Sequence, residues 1–166
     1  YTSFQELATN ISHRRVATLS KKCGNPILSK ICGLIAADEA RHASAYKQFI
    51  SRIFEIDTNE MILAFEDMMR KKIVMPAQCM RELGDKVNTF ANFSDAAQRL
   101  GVYTATDYVN IMKELLKEWK IEALTGLEEN GEKARDYLMK LPDRLTKISE
   151  RMVIPDRELK FTWIIG

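Results

Sequence analysis

The chain of 166 residues is 46% hydrophobic and 29% charged, with only 7 glycines and 4 prolines, so wholesale disorder, collagen-like repeats and turn-rich all-β folds are excluded. Its length suits one domain or a large part of one. Lys plus Arg is 25 against 23 for Asp plus Glu; the resulting +2 is too even for a dedicated nucleic-acid binder, and no apolar run is long enough to span a membrane.

The first predicted helix runs from near Ser3 to about Lys22, with Phe4, Leu7, Ala8, Ile11 and Val16 near helical spacing. Gly24 and Pro26 end it, because glycine suits a C-terminal cap and proline cannot continue a helix. A long second helix is expected from Pro26 to about Ile53, its apolar face made of Ile31, Leu34, Ile35, Ala37, Ala45, Phe49 and Ile53. The stretch 57–60 offers N-cap chemistry for a third helix carrying Met61, Phe65, Met68, Met69 and Ile73, with a kink or break near Val74 ahead of Pro76. Its methionines read as adaptable core packing. Residues 83–88 read as a connection, and a short helix from Phe93 to Leu100 ends at Gly101. Thr104 caps a helix through about Trp119, and Gly126 closes a turn. Glu128 to Leu141 is amphipathic; Pro142 is expected to interrupt it before a further helix from Asp143 to about Met152. The end of the chain, 155–166, looks extended or β-like, with Phe161, Trp163 and Ile165 alternating. The three cysteines, Cys23, Cys32 and Cys79, are an odd, widely spaced set, read as free and mostly buried thiols in a reducing compartment. The chain opens at Tyr1 in what reads as the middle of a structured element, which points to a piece of a longer protein. The fold class is an all-α bundle with additional helices and an extended or β-like tail.

Within the second helix, Glu39 and His42 stand three apart and share a face. A carboxylate and an imidazole aimed together can hold a divalent metal, although the bare Glu-x-x-His motif is common on solvated faces. Apolar and small residues flank the pair, and charge in such a stretch is costly unless paired or metal-bound. Glu6 sits in a similar setting among Phe4, Leu7 and Ala8. One inward Glu followed by Glu-x-x-His on the next helix is half of the ligand pattern of carboxylate di-iron bundles, which requires two copies from four helices. His13 lies two turns beyond Glu6 and reads as a core or surface histidine.

The stretches 1–9 and 11–13 resemble the third bundle helix of the plant acyl-[acyl-carrier-protein] desaturases of the stearoyl type. Residues 30–42 (KICGLIAADEARH) are similar to the fourth. The likeness continues through 63–73 (LAFEDMMRKKI), 75–77, 97–105 (AQRLGVYTA), 124–127 and 161–164, and so covers essentially the whole chain in order. Family members are roughly twice as long. The resemblance therefore implies that residues 1–166 are the C-terminal part of one desaturase domain, a partial ferritin-like di-iron bundle lacking its first two bundle helices.

Several functional expectations come with that resemblance. The parent would introduce a cis double bond into a saturated acyl chain on acyl carrier protein, using O₂ and reduced ferredoxin, in fatty acid biosynthesis. Two irons would be the cofactor. Glu6, Glu39 and His42 would be three of six protein ligands, so the chain alone is expected to be inactive. Thr9 would serve O₂ activation or proton delivery, although a helical threonine more often bonds its own backbone. Asp38 and Arg41 would act behind the ligands, Asp38 on the histidine of a neighbouring bundle helix and Arg41 on a carboxylate; an ordinary buried ion pair is the alternative. Arg70, Lys71 and Lys72, the densest basic run, would dock the acidic carrier protein, against the alternative of a solvated face. A homodimer and the plastid stroma are inherited in the same way. A ferritin-like metal-binding module and a non-catalytic remnant of a desaturase stay open beside this reading.

Overall fold

The computed structural model describes residues 1–74, 76–79, 89–156 and 158. Six α-helices follow in order: α1 (Thr2–Lys22), α2 (Pro26–Ile56), α3 (Thr58–Lys71), α4 (Thr89–Arg99), α5 (Ala105–Glu118) and α6 (Glu129–Arg151). Short 3₁₀ turns lie at Pro76–Cys79 and Ile121–Ala123. Among the described residues there is no strand, and the all-α reading holds. The expected connection at 83–88 and the extended tail at Phe161, Trp163 and Ile165 lie outside the described residues.

Local chemistry sets the helix boundaries. Asn25 accepts from the Leu28 amide at 3.0 Å, capping α2 with Pro26 at its first turn. Asp57 does the same for the Glu60 amide and starts α3. α3 stops at Lys71 because Lys72 takes a φ of 66°. The residues that follow are pinned: the Ile73 amide donates to Tyr108 Oη, and the Val74 carbonyl accepts from Tyr1 Oη and Gln5 Nε2. Thr104 and Asp107 form a reciprocal capping box at the head of α5.

Three expectations are corrected. Pro142 does not interrupt a helix: α6 runs unbroken through it. Leu138, Leu141 and Pro142 are all buried, so packing outweighs the lost amide and the ring's crowding of the preceding turn. The free thiols are not mostly buried: Cys32 is, while Cys23 lies in the α1–α2 turn and Cys79 ends a 3₁₀ turn, both exposed. The apolar stripe of α2 is not its packed face either. Cys32, Ala36, Ala43 and Phe54 are buried, whereas Ile31, Leu34, Phe49 and Ile53 remain exposed. Small residues let α2 lie close along α1, which leaves the large aliphatic side chains pointing away.

The main core gathers Phe4 and Ala8 of α1, Phe54 of α2, Ile62, Phe65 and Met69 of α3, four residues of α5, and Ala134, Leu138 and Leu141 of α6. Trp119, just past α5, knits it: its ring meets Phe65 edge-on at 5.3 Å, and its indole N–H donates to the Lys47 carbonyl. α1 is tied to α5 by Arg15, whose guanidinium forks onto both oxygens of Asp107 at 2.5 and 2.8 Å. Burial pushes the Asp107 carboxyl up, but the Arg15 and Thr104 bonds outweigh it and hold the group below the usual carboxylate range.

That depressed value stabilises the fold above the unfolded-state pKa near 4, and the contribution is lost as pH falls through the folded-state value. Asp107→Asn should therefore cost about 1–2 kcal/mol at pH 7, less than a fully buried pair because Arg15 is 41% exposed. Urea melts at pH 7 and pH 3 should show that cost shrinking in acid. A second test concerns the α3–α6 contact. A Cβ on Gly131 would lie 2.2 Å from Asn59 Oδ1, which accepts from the Glu128 amide at the start of α6. Gly131→Ala should destabilise by about 1–3 kcal/mol in the same assay despite alanine's helix preference, and Asn59→Ala in that background should recover part of the loss.

Candidate metal centre

α1 and α2 form an antiparallel hairpin joined by a three-residue turn, Cys23–Asn25, and make the most extensive helix–helix contact in the described chain. Ala8, Ala36 and Ala43 are almost completely buried and allow close approach. Asn10 Nδ2 donates to the Ala36 carbonyl at 2.6 Å and fixes the register. Asn10 lies one turn beyond Glu6 along α1, and Ala36 one turn before Ala40 along α2. The antiparallel register therefore brings Glu6 level with Glu39 and His42.

The three side chains meet there. His42 Nδ1 stands 3.3 Å from Glu6 Oε2 and 3.3 Å from Glu39 Oε2. One ligand atom from each lies within 4.8 Å of the others, and this is the one such group of three among the described residues. Both carboxylates are mostly covered, at 17% side-chain exposure, while the imidazole is 55% exposed. The cluster is thus a half-cup: walled by α1 and α2, open on the side of the exposed α2 stripe.

Its electrostatics are those of two carboxylates crowded together. Burial first, and then Glu39, pushes the Glu6 carboxyl up. Its bond with Glu6 holds Glu39 down against burial, helped by His42 and by His13. Each carboxylate raises the cost of a full negative charge on the other, and the His42 imidazole, 3.3 Å from both, eases it. Two oxygen donors and one imidazole nitrogen, with Nδ1 the nitrogen turned inward, fit a first-row divalent cation of intermediate hardness, iron included. A cation there would offset the repulsion between the two carboxylates.

The other singled-out residues lie as follows. Thr9 Oγ1 donates to the Gln5 and Glu6 carbonyls, each at 3.0 Å, so its hydroxyl is engaged on its own helix. Asp38 and Arg41 pair with each other on the open side of α2, at 50% and 69% side-chain exposure, rather than in a buried ion pair. Arg70 donates to Glu66 at 2.5 Å and lies over the Tyr137 ring at 3.9 Å, and Lys71 pairs with Asp67 at 2.6 Å. Lys72, exposed, ends the helix. Two of the three basic charges are therefore neutralised within α3 itself. Sequence reasoning missed Asn10, which sets the ligand register, and the influence of His13 on Glu39. Asn10 carried one usable signal: an amide in a helix interior has poor helix preference and so demands another reason.

A close-packed helical hairpin presenting Glu, Glu and His matches half of the ligand pattern of the carboxylate-bridged metal bundles. The family model described as "Fatty acid desaturase" matches residues 1–165, and the chain belongs to that family. It is 50% identical over 169 residues to the stearoyl-[acyl-carrier-protein] 9-desaturase, chloroplastic, of Olea europaea, covering 100% of this chain and 43% of that protein. It is 50% identical over 167 residues to the acyl-[acyl-carrier-protein] desaturase, chloroplastic, of Cucumis sativus, covering 99% and 42%. It is also 48% identical over 168 residues to the palmitoyl-[acyl-carrier-protein] 4-desaturase 3, chloroplastic, of Ophrys sphegodes, again 99% and 42%. The chain thus spans well under half the length of these relatives.

The raised Glu6 value means that its ionised form destabilises the metal-free fold at any pH above the unfolded-state pKa. Glu6→Gln should raise the melting temperature of the metal-free chain at pH 7, by the equivalent of about 0.5–2 kcal/mol. The gain should vanish near pH 3, where Glu6 is protonated folded and unfolded alike. Thermal melts at the two pH values check both the sign and the window.

Proposed function

We propose that this chain is the C-terminal part of a di-iron acyl-[acyl-carrier-protein] desaturase, acting as one wall of the metal site of a longer parent. The convergence of Glu6, Glu39 and His42, in a chain of this family, carries the reading. The substrate is a saturated fatty acyl chain carried on acyl carrier protein, and the product has a cis double bond. Reduced ferredoxin and O₂ are the co-reactants, and pairing of two parent subunits follows the family resemblance. The relatives' names place double bonds at position 9 and at position 4, so the likeness spans more than one regiochemistry. Their names also say chloroplastic, which supports the plastid stroma, and among the described residues no helix is long and apolar enough to cross a membrane.

Two irons, when bound, supply the oxidising power for unactivated C–H bonds that no side-chain acid or base can reach. This chain's residues do the rest of the work on their side of the bundle. Glu6 and Glu39 hold negative charge against a cation in a largely covered setting, and His42 offers Nδ1 from the same helix face. Asn10 keeps α1 and α2 in the register that brings the three together. Thr9 would serve O₂ activation or proton delivery, and either role requires its hydroxyl to leave the Gln5 and Glu6 carbonyls to which it donates. Asp38, already on the open side of α2, reaches the imidazole of a facing helix, and Arg41 screens the ligand carboxylates. Lys72, with the locally paired Arg70 and Lys71, contributes positive charge to the carrier-protein surface; most of that run's charge is already spent on Glu66 and Asp67.

In the full-length parent, Glu39→Ala or His42→Ala should abolish stoichiometric iron and desaturation together, a loss of more than about 10²-fold in turnover. Iron analysis beside product gas chromatography measures both. Retained turnover in either variant would falsify the ligand assignment. The isolated 166-residue chain should yield no unsaturated product with reduced ferredoxin and acyl carrier substrate.

A further inference from the structure

The face of α2 turned away from α1 carries Ile27, Ile31, Leu34, Tyr46, Phe49 and Ile53, each between 37% and 73% exposed. Large aliphatic and aromatic side chains in so continuous a stripe mark an interaction surface. Their order is symmetric. Ile27 and Ile53, Ile31 and Phe49, and Leu34 and Tyr46 lie at equal distances on either side of Ala40, and so do Asp38 and His42. A helix with this pattern, laid antiparallel on a second copy about a two-fold axis near Ala40, sets apolar against apolar along its length. Two-fold interfaces are self-complementary in just this sense, residue i meeting j and j meeting i. The metal half-cup opens on the same side. A complete di-metal bundle needs a Glu from each of two helices and a Glu-x-x-His from each of two others, and one chain brings one of each.

We propose that this chain, standing alone, pairs with a second copy of itself through the exposed face of α2, and that the pair completes a symmetric two-metal site from Glu6, Glu39 and His42 of both copies. This rests on the metal-ligand reading above. It differs from a homodimer of the parent, whose subunits would each carry a full ligand set. The two-fold axis also sets Asp38 of one copy level with His42 of its partner, where a carboxylate can accept from the imidazole nitrogen turned away from the cluster. Pairing brings four carboxylates together, so a divalent cation and the second copy bind in a linked fashion.

Sedimentation velocity on the 166-residue chain with and without Co²⁺, a stand-in for Fe²⁺ with visible absorption, tests the idea. The expected result is a dimer whose dissociation constant falls at least about tenfold with Co²⁺, at one Co²⁺ per chain. Phe49→Glu, on an exposed position outside the core, should give a helical monomer by circular dichroism that has lost the Co²⁺ absorption. His42→Ala should abolish the Co²⁺ dependence of pairing. A Co²⁺-saturated chain that stays monomeric at tens of micromolar would overturn the proposal and hand this face to other sequence of a longer parent. A dimer unaffected by Phe49→Glu would overturn it too, by locating the contact elsewhere. The desaturase reading is tested on the parent, so a monomer here leaves that reading standing, and iron-replete, active ligand variants of the parent would defeat it whatever this chain's oligomeric state.

Discussion

The close antiparallel contact of α1 with α2 is the constraint on which the candidate site depends. It requires small side chains where the helices touch, and Ala8, Ala36 and Ala43 provide them. It also requires a single register, because sliding one helix by a turn would carry Glu6 about 5 Å away from Glu39 and His42. The Asn10 amide on the Ala36 carbonyl sets that register with a polar bond that larger aliphatic packing could not direct. α5 supports this hairpin from behind α1: the Phe4 ring meets Tyr108 at 4.5 Å, tilted by 50°, and Arg15 forks onto Asp107.

The hairpin leaves the site with an unusual balance. Carboxylates are normally kept apart or paired with cations, yet Glu6 and Glu39 are covered and adjacent. Such an arrangement costs stability in the metal-free fold and returns it only when positive charge arrives. The open flank of the cluster merges with the exposed apolar stripe of α2, so the polar and the apolar demands for a partner fall on one side of the molecule. Coverage of that stripe and completion of the ligand set are then one structural problem, whether the covering helices belong to a longer parent or to a second copy.

Local signals read well where local chemistry decides. Asp57 and Thr104 cap the helices they were expected to cap. Signals failed where burial decides. Pro142 reads as a breaker, but a buried helix face can carry a proline when its neighbours hold the turn in place. The face of α2 was misjudged because periodicity finds an apolar stripe without saying what it packs against; alanines make weak stripes and tight contacts. The basic run at Arg70 and Lys71 reads as a charged patch until Glu66 and Asp67, one turn earlier, are seen to neutralise it.

By itself the sequence determined the helical class, the spacing of Glu39 and His42 on one helix face, and membership in a desaturase family. Each of these lies in local order: helical period, cap chemistry and the succession of residues. Only the tertiary structure decided that Glu6 reaches the same point, that α2 packs through its small residues and leaves its large aliphatic side chains exposed, and that Arg15 meets Asp107 between α1 and α5. Those outcomes depend on how two helices slide, turn and approach one another, and residues far apart in the chain fix that geometry through packing.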